Sequence, residues 1–233
     1  MNFKDFIFCA IDFTDLEQSK KFISKIQKHI GGIKIGLEFF SENGPKGFLE
    51  IKKFGVPIFL DLKLKDIPNT VKRSAQNLIN LKPDYLSIHL TGGLKMVKDV
   101  VSIKNNTKIL GISMLTSLET SDLKSFGYNL SNLAFVENLA KIGEKADIDG
   151  LVSSAHEIPH LKKKLTKTNM IFVTPGIRLS KHKANDQKRI ISPGQAIKNG
   201  SNMLIIGRSI TQSTNPINSI KKILEDIEKH YED

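Results

Sequence analysis

Short apolar runs alternate along this chain with longer stretches whose apolar positions recur every three to four residues. The runs Phe6–Asp12, Gly32–Gly36, Pro57–Leu64, Tyr85–Leu90, Lys108–Met114, Gly150–Ser154, Met170–Thr174 and Met203–Gly207 read as strands. Between them, Leu16–Ile30 places Phe22, Ile23, Ile26 and Ile30 on one helical face. Val71–Leu81, Leu94–Ile103 and Leu130–Ala146 behave similarly. Pro216 sits near the first turn of a last helix running to about His230, a favoured place for proline. Eight strands, each followed by a helix or helical turn, predict a parallel sheet. No G-x-G-x-x-G follows the first strand, which favours a closed (β/α)8 TIM barrel of the α/β class over an open doubly wound sheet. The length of 233 residues suits one such barrel, and with no linker or low-complexity segment residues 1–233 read as one domain.

Composition narrows the classes of function. The net charge is +11, which could signal nucleic acid, an anionic substrate or nothing specific. The basic residues are scattered along helical stretches such as Lys20, Lys21, Lys25 and Lys28, and no basic run is interleaved with aromatics. No nucleic-acid partner is therefore expected. No apolar run approaches the roughly 20 residues that span a bilayer, so no membrane role is expected. Phe6 to Ile11 is too short for a signal peptide, and Asp12 interrupts it. The one cysteine, Cys9, cannot form an internal disulfide and reads as a buried strand thiol, which suits a reducing cytoplasm. The four arginines, Arg73, Arg178, Arg189 and Arg208, stand out against the abundant lysine.

In a barrel of this kind the active site lies at the C-terminal ends of the strands. The polar residues expected there are Asp12, Lys34, Asp61, Lys63, His89, Thr116, Ser154, Thr174 and Arg208. The densest chemistry is in D-L-K-L-K-D-I-P-N-T, Asp61 to Thr70, at the end of the third strand. Asp61 and Lys63 point to the same side of an extended strand. Asp66 follows at the turn, so two carboxylates bracket one ammonium and favour its charged form. That suits a general acid better than a Schiff-base nucleophile; the spacing also suits a surface salt-bridge cluster ahead of a helix.

A second group ends the seventh and eighth strands: V-T-P-G-I-R, Val173 to Arg178, and I-I-G-R-S, Ile205 to Ser209. The loops at these positions commonly cradle a phosphate. Gly176 and Gly207 allow a close backbone approach, and Arg178 and Arg208 offer planar forks for phosphate oxygens.

These residues carry a family resemblance. The chain resembles the orotidine 5′-phosphate decarboxylase family, whose D-x-K-x-x-D-I-P-N-T signature is matched by Asp61, Lys63, Asp66, Ile67, Pro68, Asn69 and Thr70. The likeness extends to Asp12, K-I-G at Lys34 to Gly36, L-T-S at Leu115 to Ser117, P-G-I-R at Pro175 to Arg178, Asp186 with Gln187, and I-G-R at Ile206 to Arg208. The resemblance implies cofactor-free and metal-free decarboxylation of orotidine 5′-monophosphate to UMP, with Lys63 protonating C6. Lys34, Asp61, Lys63 and Asp66 would form a charged network around the pyrimidine. Asp12 and Lys34 would hold ribose hydroxyls, Thr116 would contact the base, and Gln187 would bridge base and phosphate. Pro175, Arg178, Gly207 and Arg208 would surround the phosphate, and Leu179 to Arg189 would form a lid. The resemblance also implies a homodimer with composite sites, in which Asp66, Ile67 and Thr70 reach into the neighbouring subunit. The chain departs from the family pattern at Leu179, where many relatives carry proline, and at Leu90, where a smaller residue is common.

Two other signals carry less weight. His156 to His160 matches H-E-x-x-H, but Pro159 interrupts it and no third zinc ligand follows. Magnesium-dependent sugar-phosphate enzymes of the same superfamily share D-x-K-x-x-D, but they need an acidic residue where this chain has Lys34; Glu38 is expected one turn beyond.

Overall fold

The computed structural model describes residues 2–179 and 191–231. Its centre is a closed parallel barrel of eight strands in sequential order, β1 (Ile7–Ile11), β2 (Gly32–Gly36), β3 (Ile58–Leu64), β4 (Tyr85–His89), β5 (Lys108–Ile112), β6 (Gly150–Val152), β7 (Ile171–Thr174) and β8 (Met203–Ile206), with β8 pairing back onto β1. All eight expected strands are present, several shortened by one or two residues at their ends. Around them run α1 (Leu16–Ile26), α2 (Leu37–Lys52), α3 (Pro68–Ile79), α4 (Gly93–Val101), α5 (Thr120–Ser125), α6 (Asn132–Lys145), α7 (Ile158–Lys164), α8 (Pro193–Lys198), α9 (Arg208–Thr211) and α10 (Pro216–Tyr231).

The near-continuous apolar strands follow from burial on both faces, as in barrels whose helices cover the outside. The period of two divides each strand between two cores. Along β1, Ile7, Cys9 and Ile11 belong to the shell between barrel and helices, while Phe8 and Ala10 fill the barrel lumen. Phe59, Leu110, Ile112, Val152, Val173, Met203 and Ile205 complete the lumen. Burial in this shell pushes the Cys9 thiol far above its ordinary range, helped by the nearby Asp12 carboxylate, and leaves it unsuited to act as a nucleophile.

Local chemistry fixes the helix starts. Asp15 accepts from the Gln18 N–H at 2.6 Å ahead of α1, and Ser131 and Ser192 do the same for α6 and α8. Pro68 opens α3. In α2, Gly44 leaves the helical region and Pro45 begins a second segment, which kinks the element. At the N-terminal rim of the barrel a tie recurs on alternate strands. Asp84, Asp149 and Asn202, each just before its own strand, accept from the N–H groups of Ile58, Ile109 and Phe172 at 2.8 Å. These ties stabilise the face opposite the C-terminal strand ends and leave that end free for chemistry. Among the described residues, no helix is long and apolar enough to cross a membrane.

Candidate active site

The alternation that fills the lumen continues past the strand ends and builds a cavity of about 570 Å³ there. On β1 the inward series Phe8, Ala10 leads to Asp12, and on β8 Ile205 leads to Gly207; β2 contributes Lys34, and β3 contributes Phe59, Asp61 and Lys63. Thr116, Pro175, Arg178 and Arg208 also line the cavity. Nine of the candidate site residues read from the sequence, from six strands and the loops that follow them, thus share one chamber.

Charge alternates across its β1–β3 wall. Lys34 Nζ stands 3.4 Å from Asp12 Oδ1 and 3.9 Å from Asp61 Oδ2, and Lys63 Nζ donates to that same Asp61 oxygen at 2.7 Å. Asp61 is 6% exposed. A carboxylate so far removed from water needs compensation, and here two ammonium groups and the Ser87 hydroxyl, 2.8 Å from Oδ1, supply it. The apolar floor of Phe59, Ile112, Val152 and Ile205 excludes water beneath this array and strengthens its fields.

The glycine and arginine groups follow β7 and β8, and β8 adjoins the Asp12 end of this wall through its pairing with β1. Gly176 has φ 79°, a left-handed turn that brings Arg178 back toward the mouth and that a side chain would strain. Gly207 differs: a Cβ there would sit at ordinary contact distance, 3.4 Å from Ala10 and 3.6 Å from Asp12, so the protein leaves room for one and the absent side chain widens the cavity. Arg178 is 7% exposed, donates from Nη1 to the Ile177 carbonyl at 2.8 Å, and still reaches the chamber. Arg208 begins the short α9 directly after Gly207.

Three expected site residues do not line this chain's own cavity. Asp66, Ile67 and Thr70 are exposed at the start of α3, with Ile67 67% accessible, and the Asp66 carboxylate accepts from the Ile67 N–H at 2.6 Å. Gln187, and the expected lid apart from Leu179, lie outside the described residues.

Two strand-end expectations are corrected. Thr174 is fully buried, and its hydroxyl bonds Ser201 at 2.6 Å instead of facing the cavity. On β7 the inward phase belongs to Val173 and Pro175, so Thr174 points to the helices. Ser153, not Ser154, lines the chamber; the Ser154 backbone N–H donates to Glu157 at 3.1 Å in the turn before α7. His89 also stays outside the cavity lining, with its Nδ1 3.2 Å from the Thr91 hydroxyl. Burial, with Lys65 and Lys63 nearby, holds the His89 imidazole below its usual range. Glu38, expected one turn beyond, does line the cavity. His160 of the H-E-x-x-H stretch pairs with Glu137 at 2.6 Å. Phe13, Met114, Thr211 and Gln212 complete the mouth without having been singled out in the sequence.

The chamber combines a compensated carboxylate, a flanking pair of ammonium groups and an arginine-lined recess. It can hold an anionic head in the recess and stabilise negative charge that develops beside Lys63. The profile of the orotidine 5′-phosphate decarboxylase / HUMPS family matches residues 5–223. A protein named orotidine 5′-phosphate decarboxylase from Erythrobacter litoralis is 39% identical over 218 residues, spanning 93% of this chain and 96% of that one. Another of the same name, from the Wolbachia of Culex pipiens, is 40% identical over 223 residues, spanning 95% and 98%. The crystal structure of orotidine 5′-phosphate decarboxylase from Lactobacillus acidophilus superposes with a TM-score of 0.83 at 28% identity, covering 95% of this chain and 98% of that one.

Proposed function

This chain belongs to the orotidine 5′-phosphate decarboxylase / HUMPS family, as a decarboxylase of pyrimidine biosynthesis, and we propose that it converts orotidine 5′-monophosphate to UMP without a cofactor, with Lys63 delivering the proton to C6. The observation that carries this reading is the Lys34–Asp61–Lys63 array on the cavity wall, with Asp61 held between two cations.

The C6–carboxylate bond breaks, CO₂ departs, and the electron pair stays on C6. The pyrimidine barely delocalises that pair, so fixed charge must stabilise it. The Lys63 ammonium is the more exposed of the two cations on Asp61; in this reading it lies beside the developing carbanion and then transfers a proton from Nζ to C6, after which solvent restores the ammonium. Asp61 faces the departing carboxylate and raises the ground state relative to the transition state. Asp12 and Lys34 hold the ribose hydroxyls and Thr116 the base. Arg178, Gly207 and Arg208, beside Pro175, take the phosphate, whose binding energy far from C6 is available to the transition state. A cation at Lys34, where a metal-using relative needs a carboxylate, repels a divalent ion and supports the metal-free reading.

We also assign Asp66, Ile67 and Thr70 to the neighbouring site of a homodimer. They are exposed at the rim of β3 and α3 while their sequence neighbours Asp61 and Lys63 face the chamber. The direct test follows the absorbance of orotidine 5′-monophosphate with purified protein, with and without EDTA. Loss of substrate that EDTA leaves unchanged, with UMP as product, is expected. No turnover, or turnover that requires added Mg²⁺, would move the assignment to sugar-phosphate chemistry.

A further inference from the structure

Strand pairing breaks register where the chemistry sits. Leu60 pairs with Leu86 and Leu64 with Ile88, so Asp61, Leu62 and Lys63 together stand opposite the one residue Ser87. Such a bulge bends a strand and re-aims its side chains. Within it Lys63 has φ 51°, a left-handed conformation that a long side chain keeps when its surroundings hold it there. A bulge also takes backbone N–H groups off the ladder, and a buried N–H needs a replacement partner.

Ser87 meets both demands. It is fully buried on β4, and its hydroxyl accepts from the Lys63 N–H at 2.8 Å and donates to Asp61 Oδ1 at 2.8 Å. Its one proton is thereby committed to Asp61 and a lone pair to the Lys63 backbone. Asp61 Oδ2 receives the Lys63 ammonium at 2.7 Å, which closes a ring running from Ser87 through Asp61 and the Lys63 side chain to the Lys63 backbone. Ser87 is not among the residues lining the cavity, so it acts through its two neighbours.

We propose that Ser87 is a positioning residue, whose hydroxyl locks the β3 bulge so that the Lys63 ammonium and Asp61 carboxylate meet the reacting carbon at a fixed separation. The consequence for rate rests on the decarboxylase reading above; the consequence for geometry does not. Ser87→Ala removes both bonds, Ser87→Cys replaces them with weaker ones at similar volume, and Ser87→Thr keeps the hydroxyl. With orotidine 5′-monophosphate as substrate, Ser87→Ala and Ser87→Cys are expected to lose about 10- to 100-fold in kcat, the scale of a small misplacement of a reacting group. KM and UMP affinity, read by titration, should stay near the parent's, and Ser87→Thr should recover most of kcat. Parent-like kcat in Ser87→Cys or Ser87→Ala, equal losses in kcat and UMP affinity, or no recovery in Ser87→Thr would each overturn the proposal. Parent protein that fails to turn over the substrate would refute the functional reading instead. Crystal structures of the Ser87→Ala and Ser87→Cys variants then decide the geometry: Lys63 is expected to leave its positive φ and its contact with Asp61. An unchanged Lys63 in both structures would overturn the proposal without any assay.

Discussion

Lys63 Nζ and Asp61 Oδ2 lie 2.7 Å apart, and Lys34 Nζ approaches the same oxygen at 3.9 Å. One buried carboxylate oxygen is thus shared by two cations, of which Lys63 is the more exposed and stands on the irregular part of its strand. Lys63 can turn toward a substrate atom while Lys34 still compensates Asp61. Lys63→Ala is therefore expected to lower kcat by roughly 10²–10⁴-fold or more, the range for losing a general acid, with UMP binding retained by the arginine side of the chamber. Turnover near the parent's would remove Lys63 from the reaction.

The two cradle arginines should separate in their effects. Arg208 is partly exposed at the chamber's edge, so Arg208→Ala is expected to raise KM by about 10- to 100-fold, the scale of a lost charge-assisted hydrogen bond, with little change in melting temperature. Arg178 is buried and tied to the Ile177 carbonyl, so Arg178→Ala should raise KM and also lower the melting temperature. Steady-state kinetics and thermal unfolding on both variants check this. A nucleoside substrate lacking the phosphate should bind all three proteins alike.

Asp66 offers a test of assembly. A site composed of Lys63 from one subunit and Asp66 from the other makes each single variant inactive, but a mixed dimer of Lys63→Ala with Asp66→Ala regains one intact site. Unfolding and refolding an equal mixture should therefore restore roughly one quarter of the parent sites, from the statistics of pairing in a two-fold dimer. Recovery no greater than that of the separate variants would place Asp66 outside a shared site.

Much of this architecture was legible because the barrel imposes period two on every strand. That period carried Asp12, Lys34 and Asp61 to the inside, and the βα alternation supplied the strand order. Two kinds of residue escaped. Thr174 and Ser154 lie at or beyond their strand ends as expected but miss the cavity: Thr174 is out of phase with the inward Val173 and Pro175, and beyond Val152 the chain has left β6, so period two no longer assigns Ser154 a side. Ser87 escaped for another reason. It is a small hydroxyl within an apolar run, and nothing local announces that β3 bulges opposite it; the left-handed Lys63 is a product of tertiary packing that intrinsic preference argues against. The assignment of Asp66, Ile67 and Thr70 to a shared site rests on family likeness alone, since their exposure in a lone chain gives no chemistry of its own.

Glu137 on α6 links two helices and makes the last prediction. It accepts from Lys141 one turn along at 2.6 Å and meets His160 of α7 at 2.6 Å. These hydrogen bonds, Lys141 first and His160 second, push its carboxyl down from an ordinary 4.5 to about 2. A carboxylate held below its unfolded value stabilises the fold above that value, and the contribution is lost as pH falls through the folded one. Glu137→Gln should therefore unfold at a lower temperature or denaturant concentration than the parent at pH 7. The gap should narrow as pH drops from about 4.5 toward 2, where the parent's carboxylate is protonated as well. The pair lies on the outer layer, away from the chamber, so kcat at neutral pH should not move. Unfolding midpoints that coincide at pH 7, or a gap that stays constant down to pH 3, would show that the α6–α7 link contributes nothing through its charge.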